Sequence, residues 1–232
     1  MKTFRRFTPE DSMVDLIKED YNLLPLLSRF SIPLGFGNNT VGQTCENAGI
    51  STSLFLLVIN FTVSGELDTK FIGDIDAEGI VDFLHNSHKY FLSYKIPHIR
   101  ANLIGALDGS HNDINPIILD FFDNFVEQVR EHFEYEEGTV FPYIRNLLAG
   151  IASDYSIDIF RHNHHEVGET LSELKNLILR YYTTSMPDVM YDALVDICNC
   201  EEDLESHSTI ENNVLIPLID HVESTRNQRK SS

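Results

Sequence analysis

The sequence predicts an all-α protein: an antiparallel four-helix bundle over residues 77–222, preceded by a small helical domain at 1–64 and a linker at 65–76. Three observations predict it. Apolar residues recur at helical spacing in four long stretches, and no strand-like alternation competes with them. The connections between those stretches are short, which favours antiparallel neighbours. Histidines sit on the apolar stripe of each stretch, and in two of them a glutamate follows four residues later.

In the N-terminal domain, Val14, Ile17, Leu23, Leu24, Leu27 and Phe30 mark a helix over 12–30. The run Ile32-Pro-Leu-Gly-Phe-Gly-Asn-Asn39 is rich in turn residues and reads as a loop. Thr40 caps a short helix that Gly49 ends, and Ser51 starts another through Leu54, Leu57, Val58 and Phe61. Gly65, Gly73 and scattered charge mark the linker.

The long helices are expected at about 77–103, 116–148, 154–182 and 187–220. Gly105, Gly109 and Asn112 break the first from the second, which opens on Pro116, a favoured first-turn residue, and closes before Gly150. The polar, basic segment 223–232 is expected to be a disordered tail.

Composition narrows the function classes. Net charge is −19, and a surface this acidic repels phosphate backbones, so nucleic acid is not an expected partner. No apolar run approaches the ~18 residues that cross a membrane, and the arginines near the N-terminus have no apolar core behind them. A cytoplasmic protein with no membrane partner is the expectation. Cys45, Cys198 and Cys200 do not form a disulfide framework. On a helix, Cys198 and Cys200 point about 160° apart, a poor arrangement for joint ligands.

Two stretches carry the chemistry. His132-Phe-Glu-Tyr-Glu136 runs through Glu137-Gly-Thr-Val-Phe to Pro142, and His207-Ser-Thr-Ile-Glu211 runs through Asn-Asn-Val-Leu-Ile to Pro217. Residues four apart lie about 40° apart on a helix, so each pair aims an imidazole and a carboxylate the same way. His132 and Glu136 continue the stripe Ile118, Phe121, Phe122, Phe125, Val129, Val140, Ile144. His207 and Glu211 continue Ile197, Cys200, Leu204, Val214, Leu218. In the third helix His164 lies on the stripe of Ile157, Phe160, Val167, Leu171, Leu174, Ile178 and Tyr181, whereas His162 and His165 lie off it. In the first, His85 and His88 share one side with Val81, Leu84, Phe91 and Leu92, and periodicity does not separate them.

A buried glutamate is costly unless a cation or partner compensates it. Two inward glutamates among four inward histidines therefore point to metal. Imidazole mixed with carboxylate suits non-haem iron, manganese or zinc, and bridging carboxylates suit a pair of ions in a bundle core. Thiolates are absent from this set, so an iron–sulfur cluster is not indicated there.

The four histidine-bearing segments resemble the haemerythrin-like (HHE cation-binding) domain. More narrowly, the chain resembles the di-iron proteins that repair iron–sulfur clusters, also described as regulators of cell morphogenesis and nitric oxide signalling. The His-x-x-x-Glu-Glu stretch ending in Phe141-Pro142 and the His-x-x-x-Glu-Asn-Asn stretch ending in Pro217 carry the resemblance. It implies two iron ions in an oxo-bridged centre, with His85, His132, His164 and His207 as terminal ligands and Glu136 and Glu211 as bridges. It also implies His85 over His88. The family's small N-terminal domain usually carries a Cys-Cys pair before a glycine; here the loop reads Pro33-Leu-Gly-Phe-Gly37, without cysteine, while Thr40-Val-Gly-Gln-Thr-Cys45 keeps the helix start.

The implied function is binding of NO or O2 at a carboxylate-bridged iron pair in the response to nitrosative or oxidative stress, with support of iron–sulfur cluster repair. The alternative is a non-catalytic O2, redox or NO sensor. The expected partners are the diatomic gas, an iron–sulfur protein or a signalling protein, and a second copy of the chain in a homodimer.

Overall fold

A computed structural model describes residues 6–67, 76–109, 113–163 and 169–230. Among these residues the fold is all-α, with a single isolated antiparallel bridge between Ser12 and Thr40.

The N-terminal helices are α1 (Met13–Glu19), α2 (Leu24–Arg29), α3 (Val41–Ala48) and α4 (Thr52–Ser64). The helix expected over 12–30 is divided at Asp20, whose extended backbone stops α1. Its carboxylate accepts the Asn22 N–H and starts a short 3-10 turn that leads to Pro25, near the start of α2. Thr40 and Gln43 form a capping box at the head of α3, and Gly49 closes that helix in the left-handed conformation that glycine adopts without penalty.

The remaining helices are α5 (Ala77–Tyr90), α6 (Ile96–Ala106), α7 (Asn115–Tyr135), α8 (Phe141–Leu148), α9 (Ile157–Asn163), α10 (Glu169–Tyr181), α11 (Pro187–Ile210) and α12 (Ile216–Lys230). The chain packs as two compact units, and each division between them falls within a helix.

One unit spans Met1–Ser87, Ile144–Arg161 and Thr209–Ser232. Phe30 ties its N-terminal helices to α5, with its ring 5.1 Å from Phe55 and 4.6 Å from Phe83. Asn86 adds a bond to the Arg29 carbonyl at 2.9 Å. The tail expected to be disordered from Glu223 is instead helical through Lys230. Glu223 accepts the Ile157 N–H at 2.8 Å, and Arg226 donates to the Leu147 and Ile151 carbonyls. These bonds bind the last helix to the chain preceding α9 and to the end of α8, contacts that polarity alone does not disclose.

The other unit spans His88–Tyr143 and His162–Ser208. Its core joins Phe91, Ile99 and Leu103 with Phe122, Phe125, Val129 and Phe133, then with Leu171, Leu174 and Ile178, and finally with Ala193, Ile197 and Leu204. Four helical segments thus share one apolar core, as a four-helix bundle does. Two connections meet at one end of it: Tyr182 donates to Asn115 and accepts the Asp108 N–H, while Asp108 accepts from Ser185. The segment before Asp108 therefore ends where α7 begins, and α10 ends where α11 begins, so neighbours alternate in direction. Tyr181 was expected on the inward stripe but is 69% exposed. Tyr182, at the end of the same helix, takes the bonded position.

Candidate metal centre

Two helices that continue the apolar stripe change pitch at the glutamates. Residues Glu136–Val140 and Glu211–Leu215 each form a π turn, as does Phe91–Lys95. In each, an i→i−5 bond closes the turn: Ile96 N–H to Phe91, Phe141 N–H to Glu136 and Ile216 N–H to Glu211. A proline follows every one, at 97, 142 and 217. Proline has no N–H, and its ring collides with the carbonyl four residues earlier, so a regular α-helix cannot continue through it without kinking. The wider turn takes up that conflict and keeps the helix running.

Glu136 and Glu211 are fully buried, and His88 and His207 retain only 3% of their exposure. One ligand atom from each of His88, Glu136, His207 and Glu211 lies within 4.8 Å of the others. Glu211 reaches this group as part of the same helical run as His207, one turn further on.

The geometry around Glu136 is specific. Its Oε2 lies 3.1 Å from His88 Nε2, and its Oε1 lies 3.1 Å from His132 Nε2. One carboxylate therefore faces two different imidazoles, one with each oxygen. Nitrogen and oxygen ligands sit about 2.1 Å from a metal such as zinc. Two such ligands at right angles on one ion are then roughly 3 Å apart, which both separations match. Neutral imidazole and ionised carboxylate are also the donor types that non-haem iron, manganese and zinc accept. The residues present fit a bound metal.

His88 is held firmly. Its ring stacks on Phe133, with centroids 3.9 Å apart and planes 15° apart, and on Phe141 at 5.4 Å and 13°. Its Nδ1 lies 2.7 Å from Glu137 Oε1. The His207 ring is 5.2 Å from that of His88 and meets Phe91 edge-on at 6.0 Å.

Of the expected ligands, the structure brings Glu136, His207 and Glu211 into one group and places His132 against Glu136. His85 is half-buried, three residues before His88, and is not part of the four-residue group. His88 is in that group. His164 lies outside the described residues. One sequence signal favours His88: it precedes its proline by nine residues, close to the ten that separate His132 from Pro142 and His207 from Pro217, whereas His85 precedes Pro97 by twelve. Glu137 had no expected role, although it is the second glutamate of the His-x-x-x-Glu-Glu run.

A family model, the hemerythrin HHE cation binding domain, matches residues 79–219, more than half of the chain. No curated protein matches it. Among the described residues, no helix is long and apolar enough to cross a membrane.

Proposed function

Because the chain belongs to the hemerythrin HHE cation-binding domain family, we propose that it holds two iron ions and binds NO or O2 at them. One observation carries this reading: Glu136 turns its two oxygens to two different histidines, as a carboxylate bridging two ions does. His88 stands on the Oε2 side and His132 on the Oε1 side, and His207 and Glu211 belong to the same close group as His88 and Glu136. Manganese and zinc satisfy the same donors, and iron is the choice that fits binding of a diatomic gas.

When bound, the iron pair supplies electrons and coordination positions to the gas. The chain's own residues orient and shield that chemistry. Phe133 and Phe141 fix the plane of His88, and Phe91 and Phe133 border His207. The buried carboxylates Glu136 and Glu211 balance the charge of the cations in a site largely closed to water.

Gas binding, with a signal passed to a partner, is favoured over thiol-assisted cluster repair. The loop at 33–37 has no cysteine, and Cys45 is fully buried, with burial pushing its thiol up to about 11 despite a bond from Thr52 that lowers it. A thiol so placed is a poor nucleophile at neutral pH. A cytoplasmic setting, an iron–sulfur or signalling protein as partner and a homodimer all belong to this proposal.

The test is anaerobic titration of the reduced, iron-loaded protein with NO, followed by optical and electron paramagnetic resonance spectra. A saturable signal that needs the metal, and that the Glu136→Ala/Glu211→Ala variant lacks, supports the reading. No spectral change in iron-loaded protein overturns it.

A further inference from the structure

We propose that Glu137 is a positioning residue: it fixes the tautomer and in-plane rotation of His88 so that Nε2 is the atom offered to metal. This rests on the reading that His88 is a ligand. Glu136 and Glu137 are adjacent in sequence, yet they address opposite nitrogens of one ring, Glu136 at Nε2 (3.1 Å) and Glu137 at Nδ1 (2.7 Å). An ionised carboxylate only accepts hydrogen bonds, and of the two contacts the one at Nδ1 is the shorter, 2.7 Å against 3.1 Å, so a neutral imidazole carries its proton there. The lone pair then lies on Nε2, the nitrogen that faces Glu136.

The two phenyl rings cannot do this by themselves. Stacking on Phe133 and Phe141 fixes the plane of His88 but not which nitrogen carries hydrogen. A histidine side chain left to itself prefers the proton on Nε2, which would block the donor atom. Glu137 reverses that preference. Its side chain is 33% exposed, and its Oε1 meets Nδ1 of His88, the ring nitrogen opposite the one that faces Glu136, so it acts through His88. Carboxylates that hydrogen-bond a ligating histidine in this way typically contribute 10–100-fold to metal affinity, about the loss expected here.

The test uses the full chain stripped with chelator, zinc as the probe and a competing chelator to read affinity, with histidine nitrogen-15 spectra assigned through a His88→Gln variant. Expected is about 10–100-fold weaker zinc binding in Glu137→Ala, substantial recovery in Glu137→Gln, whose carbonyl still accepts the bond, and an unchanged unfolding midpoint without metal. The spectra of metal-free protein should show the Nδ1–H form of His88 in wild type and Glu137→Gln, and a shift toward Nε2–H in Glu137→Ala. Wild-type affinity and tautomer in Glu137→Ala would overturn the proposal, and so would weaker binding with an unchanged tautomer and a lowered metal-free midpoint. Glu136→Ala and His88→Ala run alongside: wild-type zinc binding in both would sink the metal-centre reading itself, whereas its loss in both beside normal binding in Glu137→Ala would sink only the positioning role.

Discussion

Glu136 Oε2 stands 3.1 Å from His88 Nε2, and the helical run that carries Glu136 also carries both phenyl rings that hold His88 in place. The same stretch of chain thus sets the carboxylate and the imidazole together. His88→Ala should weaken metal binding by more than the ~10–100-fold typical of an outer partner. His85→Ala should keep most of it. Zinc competition on the two variants checks this, and the reverse order would favour His85 as the ligand.

Glu136→Gln keeps the side chain's volume and removes its charge. In metal-free protein it should leave the unfolding midpoint unchanged or raise it, because a buried carboxylate without its cation is destabilising. With metal present it should lose the increase in midpoint that wild type gains from binding. Thermal unfolding with and without metal reads both effects.

Tyr182 joins the two connections at one end of the bundle, accepting the Asp108 N–H at 2.6 Å and donating to Asn115 at 3.0 Å. Tyr182→Phe removes both bonds and should cost about 1–2 kcal/mol in chemical denaturation. Metal content should stay at the wild-type level, since the proposed ligands are other residues.

Asp196 links α11 to the residues around α6. Burial pushes its carboxyl up, but hydrogen bonds from Lys95 and Asn102 and the charges of Lys95 and His98 outweigh it and hold the group below its ordinary value of 3.8. A depressed carboxyl stabilises the fold above the ordinary value, and that stability is lost as pH falls through the lowered one. Asp123 behaves alike, held down first by its hydrogen bond from Arg100. Metal-free protein should therefore lose stability below about pH 4. Lys95→Met should flatten that decline, measured as unfolding midpoint against pH.

The sequence discloses much of the fold because helical spacing is long-range and regular. The stripes through Phe122, Phe125 and Val129 and through Ile197 and Leu204 reappear as one core. Glu136 and Glu211 are legible for the same reason: each interrupts an apolar stripe and proves fully buried. The choice between His85 and His88 is not legible by periodicity, since residues three apart share a face. His88 stacks on Phe133 and Phe141, a contact that depends on a neighbouring helix and that apolar spacing does not register. The π turns are hidden from a 3.6-residue template too, although Pro97, Pro142 and Pro217 mark where each must end. In the N-terminal helices, Asp20 divides an otherwise helical pattern through its own side-chain bond to Asn22, a local competition that apolar spacing does not register.

A two-ion centre held by Glu136 and Glu211 is what the proposed function requires. Its most direct test is the metal content of freshly purified protein made with ample iron, beside the Glu136→Ala/Glu211→Ala variant. Close to two irons per chain, lost in the variant together with the optical bands of a bridged iron pair, is the expected result. A wild-type protein without stoichiometric metal, or a variant that keeps it, would rule out a two-ion centre at these glutamates.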